Sequence, residues 1–147
     1  GGNILNPTYE NHEGHQEAVL VNYDPNIIKL DTILRTYFRN IDPLDGEGQF
    51  CDRGDSYRPV IFYADLDEAD ESKNALISAS KELGVSVDKI KVELKSRNKF
   101  WVAEDYHQDF AKNNELKYKF YRYACGRDKR LDQLWGEKAK KTIAWSE

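Results

Sequence analysis

Apolar positions along this chain recur with two periods, and the switches between them mark its elements. Residues 17–23 (Glu-Ala-Val-Leu-Val-Asn-Tyr) are β-branched and aromatic and predict a strand. Asp24-Pro25 ends it. Ile33, Leu34, Tyr37, Phe38 and Ile41 then fall at helical steps, making one apolar stripe on a helix capped by Asp31. Asp42-Pro43 stops that helix, because a residue before proline is pushed out of the helical region. Residues 44–56 read as a long polar loop of the kind that often carries function. Residues 59–64 (Pro-Val-Ile-Phe-Tyr-Ala) predict a short buried strand. A second helix starts at Asp67, with Ala75, Leu76, Ala79 and Leu83 inward and Gly84 at its end. In residues 89–95, Ile90, Val92 and Leu94 alternate with charges, predicting a half-buried strand. Residues 103–112 read as helical, and 115–123 as an aromatic-basic stretch of undefined type. Residues 127–141 read as a charged terminal helix anchored by Leu131, Leu134 and Trp135.

The order strand, helix, strand, helix, strand, then helices predicts an α+β two-layer sandwich, a ferredoxin-like mixed sheet with helices on one face. Three strands are few for this much apolar helix surface, so an N-terminal strand and helix are expected to be missing. The chain starts Gly1-Gly2-Asn3 and has no methionine, which reads as a cut from something longer. Residues 1–137 are expected to form one truncated domain and 138–147 a tail. Removing a core strand leaves an exposed edge, so a marginal monomer is expected.

Composition narrows the function classes. Of the 147 residues, 39% are hydrophobic and 33% charged, a globular balance. The net charge of -4 argues against general nucleic-acid binding, which needs a basic face. No apolar run is long enough to span a membrane, and no signal peptide is visible. Two cysteines, Cys51 and Cys125, do not make a disulfide scaffold, and buried, inert thiols are the plain expectation for each. His12 and His15 in His-x-x-His could join Cys51 or His107 at a metal, but without a Cys-x-x-Cys partner the pattern is weak, and no metal is expected.

Three strings carry the chemistry. They are Asn6-Pro7-Thr8-Tyr9 with Gly14-His15-Gln16-Glu17, then Gly48-Gln49-Phe50-Cys51-Asp52-Arg53-Gly54-Asp55-Ser56-Tyr57-Arg58, then Ala103-Glu104-Asp105-Tyr106-His107-Gln108. On the residues alone, Glu17 is a strand-end carboxylate beside an apolar run. Tyr9 and Tyr57 are phenols able to donate or to pack. Asp52 is a turn residue, and Glu104, Asp105 and His107 form a polar cluster at a helix start. In that order the strings resemble the peptide methionine sulfoxide reductase A family, with Tyr118-Lys119-Phe120-Tyr121-Arg122 and Gly126-Arg127-Asp128 like a bacterial-type branch of it.

The resemblance implies reduction of methionine-S-sulfoxide, free or in proteins, by thiol chemistry. It makes Glu17 the acid that protonates the departing oxygen, its pKa raised by burial. Tyr9 and Tyr57 become donors to that oxygen, Asp52 shapes the pocket, and Glu104, Asp105 and His107 support it. Cys125 becomes the resolving cysteine, with Arg122, Arg127 and Lys129 favouring its thiolate and Gly126 letting the backbone bend. No cofactor beyond protein thiols is implied. Substrate proteins or peptides and a thioredoxin-like reductant are the expected partners, in the cytoplasm. The family's nucleophile lies in a Gly-Cys-Phe-Trp motif, which this sequence lacks, so the resemblance implies that the family domain begins upstream of Gly1. Cys51 is an incidental pocket thiol or a substitute nucleophile, and the adjacent Asp52 would raise its pKa, the wrong direction for the second role. Two further readings stand beside the first: a non-catalytic module binding methionine or its sulfoxide, and a redox sensor using both cysteines.

Overall fold

A computed structural model describes residues 2–145. The first helix, α1, spans Leu30–Phe38. Its N-cap is Lys29, which provides no side-chain cap, and Asp31 sits in the first turn instead of capping. There Asp31 pairs with Arg35 at 3.0 Å and accepts from the Trp145 indole at 2.9 Å. The helical stripe falls where its period put it, with Leu34, Phe38 and Ile41 buried.

A hairpin interrupts the expected loop. Strands β1 (Gly48–Gln49) and β2 (Asp52–Arg53) pair antiparallel around a two-residue turn, Phe50-Cys51. Phe50 adopts φ 55°, as such tight turns require. Gly48 is obligatory: at φ 152° a Cβ there would lie 2.2 Å from the Asp52 carbonyl oxygen. The Gln49 amide pins the hairpin to the end of α1, accepting from the Asp42 N–H and donating to the Asp42 carbonyl, both at 2.8 Å.

Strand β3 (Val60–Tyr63) pairs in parallel with β4 (Glu93–Ser96), in register from Val60 opposite Glu93 to Tyr63 opposite Ser96. The helix α2 (Leu66–Leu83) makes the crossover that a parallel pair needs. It begins one residue earlier than expected because Asp65 is the cap, accepting from the Glu68 N–H, while Glu68 reaches back to the Ala64 N–H. This reciprocal arrangement satisfies two backbone donors that the helix cannot. Gly84 ends α2 at φ 66°. The α+β class expected from the sequence therefore holds, but among the described residues as two two-stranded ribbons instead of one sheet.

The third expected strand differs. Residues 17–23 form no ladder among the described residues. The Glu17 N–H donates to the Ser56 carbonyl at 2.8 Å, and beyond it Val19 and Val21 are 86% and 51% exposed. High strand propensity cannot make a strand without a partner edge. The last third is helical: α3 (Phe110–Asn113), α4 (Glu115–Ala124) and α5 (Arg127–Trp135). Residues 103–109, expected to be helical, hold only a 3-10 turn at Asp105–His107. The terminal helix is shorter than expected, because Gly136 breaks it at φ 54°.

The core lies between α1, α2 and α5. Phe38, Ala79 and Leu131 are fully buried, and Ile90, Val92 and Trp135 close around them. Beside the core is a buried charge. Arg39 has no exposure; its guanidinium donates to both Glu82 oxygens at 2.9 Å and to the carbonyls of Lys141, Ile143 and Ala144. Glu82 is itself covered, with Lys138 as a second cation at 3.0 Å. The tail thus docks on α1, with Trp145 against Phe38 and Arg39. Of that tail, Ser146 and Glu147 lie outside the described residues, as does Gly1.

Breaking a buried pair by removing one partner leaves an uncompensated charge, at a cost of roughly 3–5 kcal/mol. Glu82→Ala is expected to lose that much stability in urea unfolding. A loss within about 0.5 kcal/mol, usual for a surface change, would show that Arg39 is satisfied by the tail carbonyls alone.

Candidate functional site

Four separate segments bring the candidate residues together. The first is the N-terminal loop. Thr8 and Asn11 exchange backbone hydrogen bonds, and the Tyr9 N–H between them donates to Glu104 Oε1 at 2.9 Å. The Tyr9 ring lies 5.1 Å from the His107 ring, centroid to centroid. Glu104 and His107 thus hold Tyr9 from below, and the Tyr9 N–H holds the Glu104 carboxyl below its ordinary range.

The second segment brings Glu17. Its backbone is tied to Ser56, which places it next to Tyr57 in the 3-10 turn Asp55–Tyr57. Glu17 is exposed, contrary to the buried acid expected from the sequence. The apolar run after it is largely exposed too, Val19 most of all.

Tyr57 reports how close these groups are. Its phenol is pushed up first by burial, then by hydrogen bonding with Tyr9, and then by the charges of Glu17 and Asp52. Tyr9, Glu17, Asp52 and Tyr57 therefore share one electrostatic neighbourhood, though they come from widely separated parts of the chain.

The third and fourth segments are the hairpin and α4. Cys51, in the hairpin turn, is joined by a disulfide to Cys125, the C-cap of α4, with their Cα atoms 5.3 Å apart. Neither cysteine is the inert free thiol expected. Next to this bond the Tyr121 hydroxyl donates to Asp52 Oδ1 at 2.6 Å. The Tyr121 phenol is pushed up to about 12, by burial first and by Asp52 second, with Arg127 opposing. The ring is 41% exposed, but the hydroxyl that titrates is the part held against Asp52.

Phe50, Asp52, Tyr118, Tyr121, Arg122, Cys125 and Arg127 line a small recess around the disulfide. The Arg127 guanidinium sits 4.7 Å from the Phe50 ring centre and donates to the Asn40 carbonyl at 3.0 Å. Burial pushes its pKa down, and the neighbouring Arg122 charge adds to this. Arg122 makes a bidentate pair with Asp128, from Nε at 3.0 Å to both oxygens and from its terminal nitrogen at 2.6 Å. That pair, with Lys140 behind it, holds the Asp128 carboxyl down at about 2. Gly126 makes the α4–α5 corner at φ 61°, the bend expected of it.

Sequence reasoning missed Tyr121 and Phe50. A signal for the first was present: Tyr118, Tyr121, Arg122 and Cys125 follow one another at helical steps, so a helical reading of residues 115–124 puts them on one face. The imidazoles of His12 and His15 meet the backbone carbonyls of Thr8 and Ile4. Among the described residues no three His, Cys, Asp or Glu side chains gather as a metal cluster. No helix of the described residues is long and apolar enough to cross a membrane.

Comparison with known proteins bears on this cluster. The family profile described as "Peptide methionine sulfoxide reductase" matches residues 1–139. "Peptide methionine sulfoxide reductase MsrA/MsrB" of Vibrio cholerae is 43% identical over 140 residues, 92% of this chain and 37% of that protein. "Peptide methionine sulfoxide reductase MsrA 2" of Rhizobium meliloti is 43% identical over 141 residues, 95% of this chain and 70% of that protein. A solved structure, Mxr1 from Saccharomyces cerevisiae in reduced form, aligns with a TM-score of 0.59 at 27% identity, over 63% of this chain and 50% of that one.

The raised Tyr121 value has a definite sign. Folding favours the neutral phenol, so its contribution to stability is whole below pH 10 and is lost as the pH rises toward 12. An ultraviolet titration of tyrosinate absorbance should show a component near pH 12 that Tyr121→Phe loses, apart from the later one of the buried Tyr37. Asp52→Asn should bring the Tyr121 component back toward 10. A wild-type profile without that component would separate the hydroxyl from Asp52.

Proposed function

The chain belongs to the peptide methionine sulfoxide reductase family, and we propose that its four-segment cluster binds methionine-S-sulfoxide and promotes its reduction. The coupling of Tyr57 to Tyr9, Glu17 and Asp52 supports this reading most directly, because it links every residue the chemistry requires apart from the thiols.

The chemistry is simple to state. A thiolate attacks the sulfoxide sulfur while the sulfoxide oxygen takes up a proton. The thioether departs as methionine, and the enzyme sulfur is left as a sulfenic acid. A second thiol displaces water from it, giving a disulfide. An external dithiol then returns both sulfurs to thiols and leaves as a disulfide. In this scheme Tyr9 and Tyr57 donate to the oxygen as negative charge develops on it. Neutral phenols suit that task, since they donate at physiological pH without needing a charge.

Glu17 supplies the proton, and Asp52 fixes the floor of the pocket. Cys125, once released from Cys51, resolves the sulfenic acid. The exposure of Glu17 means that a bound substrate would have to supply the apolar cover that makes a carboxyl a good acid. Val19, two residues on, is exposed as well.

The reading takes residues 1–137 as one monomeric reductase-type domain and 138–147 as its tail; the profile match runs over residues 1–139. A thioredoxin-like dithiol in a reducing, cytoplasmic compartment would be the electron source, and no further cofactor is needed. The attacking thiolate is the open position. The sequence contains no Gly-Cys-Phe-Trp motif, and its two cysteines are bonded to each other.

Turnover of free methionine-S-sulfoxide with dithiothreitol tests the proposal on this chain and on one extended by a Gly-Cys-Phe-Trp segment. Activity is expected in the extended chain alone. There Glu17→Gln should lower kcat by roughly 10²–10⁴, the usual worth of a general acid, while Glu17→Asp retains part of it. An extended chain whose rate ignores Glu17→Gln would remove Glu17 from the mechanism. Turnover by the 147-residue chain would assign the attack to Cys51.

A further inference from the structure

We propose that Tyr121 is a positioning residue of this site, acting through Asp52, and that the Cys51–Cys125 bond holds it there. The proposal rests on the sulfoxide-reductase reading for the role of Asp52. The clamp itself rests on geometry alone.

The two attachments are neighbours on both sides. Cys51 and Asp52 are consecutive in the hairpin. Tyr121 and Cys125 lie four apart, one turn along α4. One link is covalent and the other is a hydrogen bond of 2.6 Å. A single link would leave a pivot, whereas two links about one helical turn apart fix the orientation of the helix against the hairpin. The pair therefore sets where the Asp52 carboxylate sits and which of its oxygens is occupied.

Little else holds α4 in place. It has no buried residue, and Leu116, Phe120 and Tyr123 are 84%, 73% and 85% exposed. The preceding α3 has no buried residue either. The Arg122–Asp128 pair ties α4 to α5, not to the hairpin. Burial, the usual force holding a helix to its domain, is thus nearly absent at this contact, and the disulfide takes its place.

Redox chemistry then acts on the site. A dithiol reductant gives two electrons and two protons to the bond, leaving two thiols and becoming a disulfide itself. Afterwards, among the described residues, the hydrogen bond that joins helix to hairpin is Tyr121–Asp52, in competition with water. In the reduced protein α4 is held to the hairpin less firmly, and Tyr121 keeps its hold on Asp52 for only part of the time. Tyr57, whose phenol feels the Asp52 charge, then faces an altered neighbour.

Hydrogen–deuterium exchange of the full chain, oxidised and after dithiothreitol, tests the clamp. Amides of α4 should exchange about tenfold faster or more on reduction, while α2 is unchanged, as expected for a locally detached unit. Cys51→Ser should match the reduced chain under both conditions, and oxidised Tyr121→Phe should fall between. Equal α4 exchange in all these forms would overturn the clamp.

The positioning role is read from calorimetric binding of a short peptide containing one methionine-S-sulfoxide. Oxidised Tyr121→Phe should bind several-fold more weakly than wild type, and adding it to Asp52→Asn should cost nothing more. Additive losses would show that Tyr121 acts directly and not through Asp52. If α4 behaves as expected but no form binds the peptide, the reductase reading fails while the clamp stands.

Discussion

The guanidinium of Arg39 is the point on which the helical body depends. An arginine with no solvent exposure needs its charge and its donors answered inside the protein. Here α2 supplies the charge through Glu82, and the tail supplies three backbone carbonyls. The consequence is geometric. Helices α1 and α2 cannot separate, and the tail cannot lift, without stranding one charge or the other. Arg35 adds a bond to the Thr142 carbonyl, and Trp145 stacks over the same ground. The tail is therefore part of the body's packing, although it follows a helix already ended by Gly136.

From that body the site is reached by a chain of specific bonds. Arg130 of α5 grips the buried Asp42 at 2.6 Å, and Gln49 carries the hold from Asp42 to the hairpin. The hairpin carries Cys51 and Asp52, and these carry α4. Each step outward has less buried area and relies more on a few polar or covalent links. The Tyr9 loop is tied through its N–H to Glu104 and through its ring to His107, and Glu17 through its N–H to Ser56. Under the proposed reading, the segments that admit a substrate and let sulfurs exchange partners lie at this low-stability edge. The rigid elements fix the frame, and the reactive groups sit where movement costs least.

What the sequence disclosed, and what it withheld, follows the same division. The stripe of α1, the inner face of α2, Gly84 and the β3 strand were legible, because each is specified by its own periodicity or cap. Residues 17–23 misled: their composition favours a strand, but strands are made by partners, and composition says nothing about partners. The hairpin was hidden because its strands are two residues long and its turn is Phe50-Cys51, without the Asn-Gly or Asp-Gly that usually mark such turns. Tyr9, Glu17, Asp52 and Tyr57 stand out in the sequence as motif positions, and the proposed site is built on them. Tyr121 does not, because its part depends on a contact across the fold with Asp52.

The joined cysteines sharpen the chemical question. Read separately in sequence, each was a thiol with its own environment. Joined, neither is a nucleophile, and the electropositive surroundings of Cys125 count only after reduction. Arg122 is already spent on Asp128, and Arg127 is partly buried with its charge disfavoured. The positive field near the freed sulfur is thus weaker than a count of nearby arginines suggests. What favours exchange at this bond is access: Cys51 is exposed on a turn, and Cys125 caps a helix with no buried face. An attacking thiolate approaches along the axis of the bond it breaks, so an exposed turn sulfur is the natural point of entry. That would leave Cys125, which lines the recess with Tyr121 and Arg122, as the departing thiol.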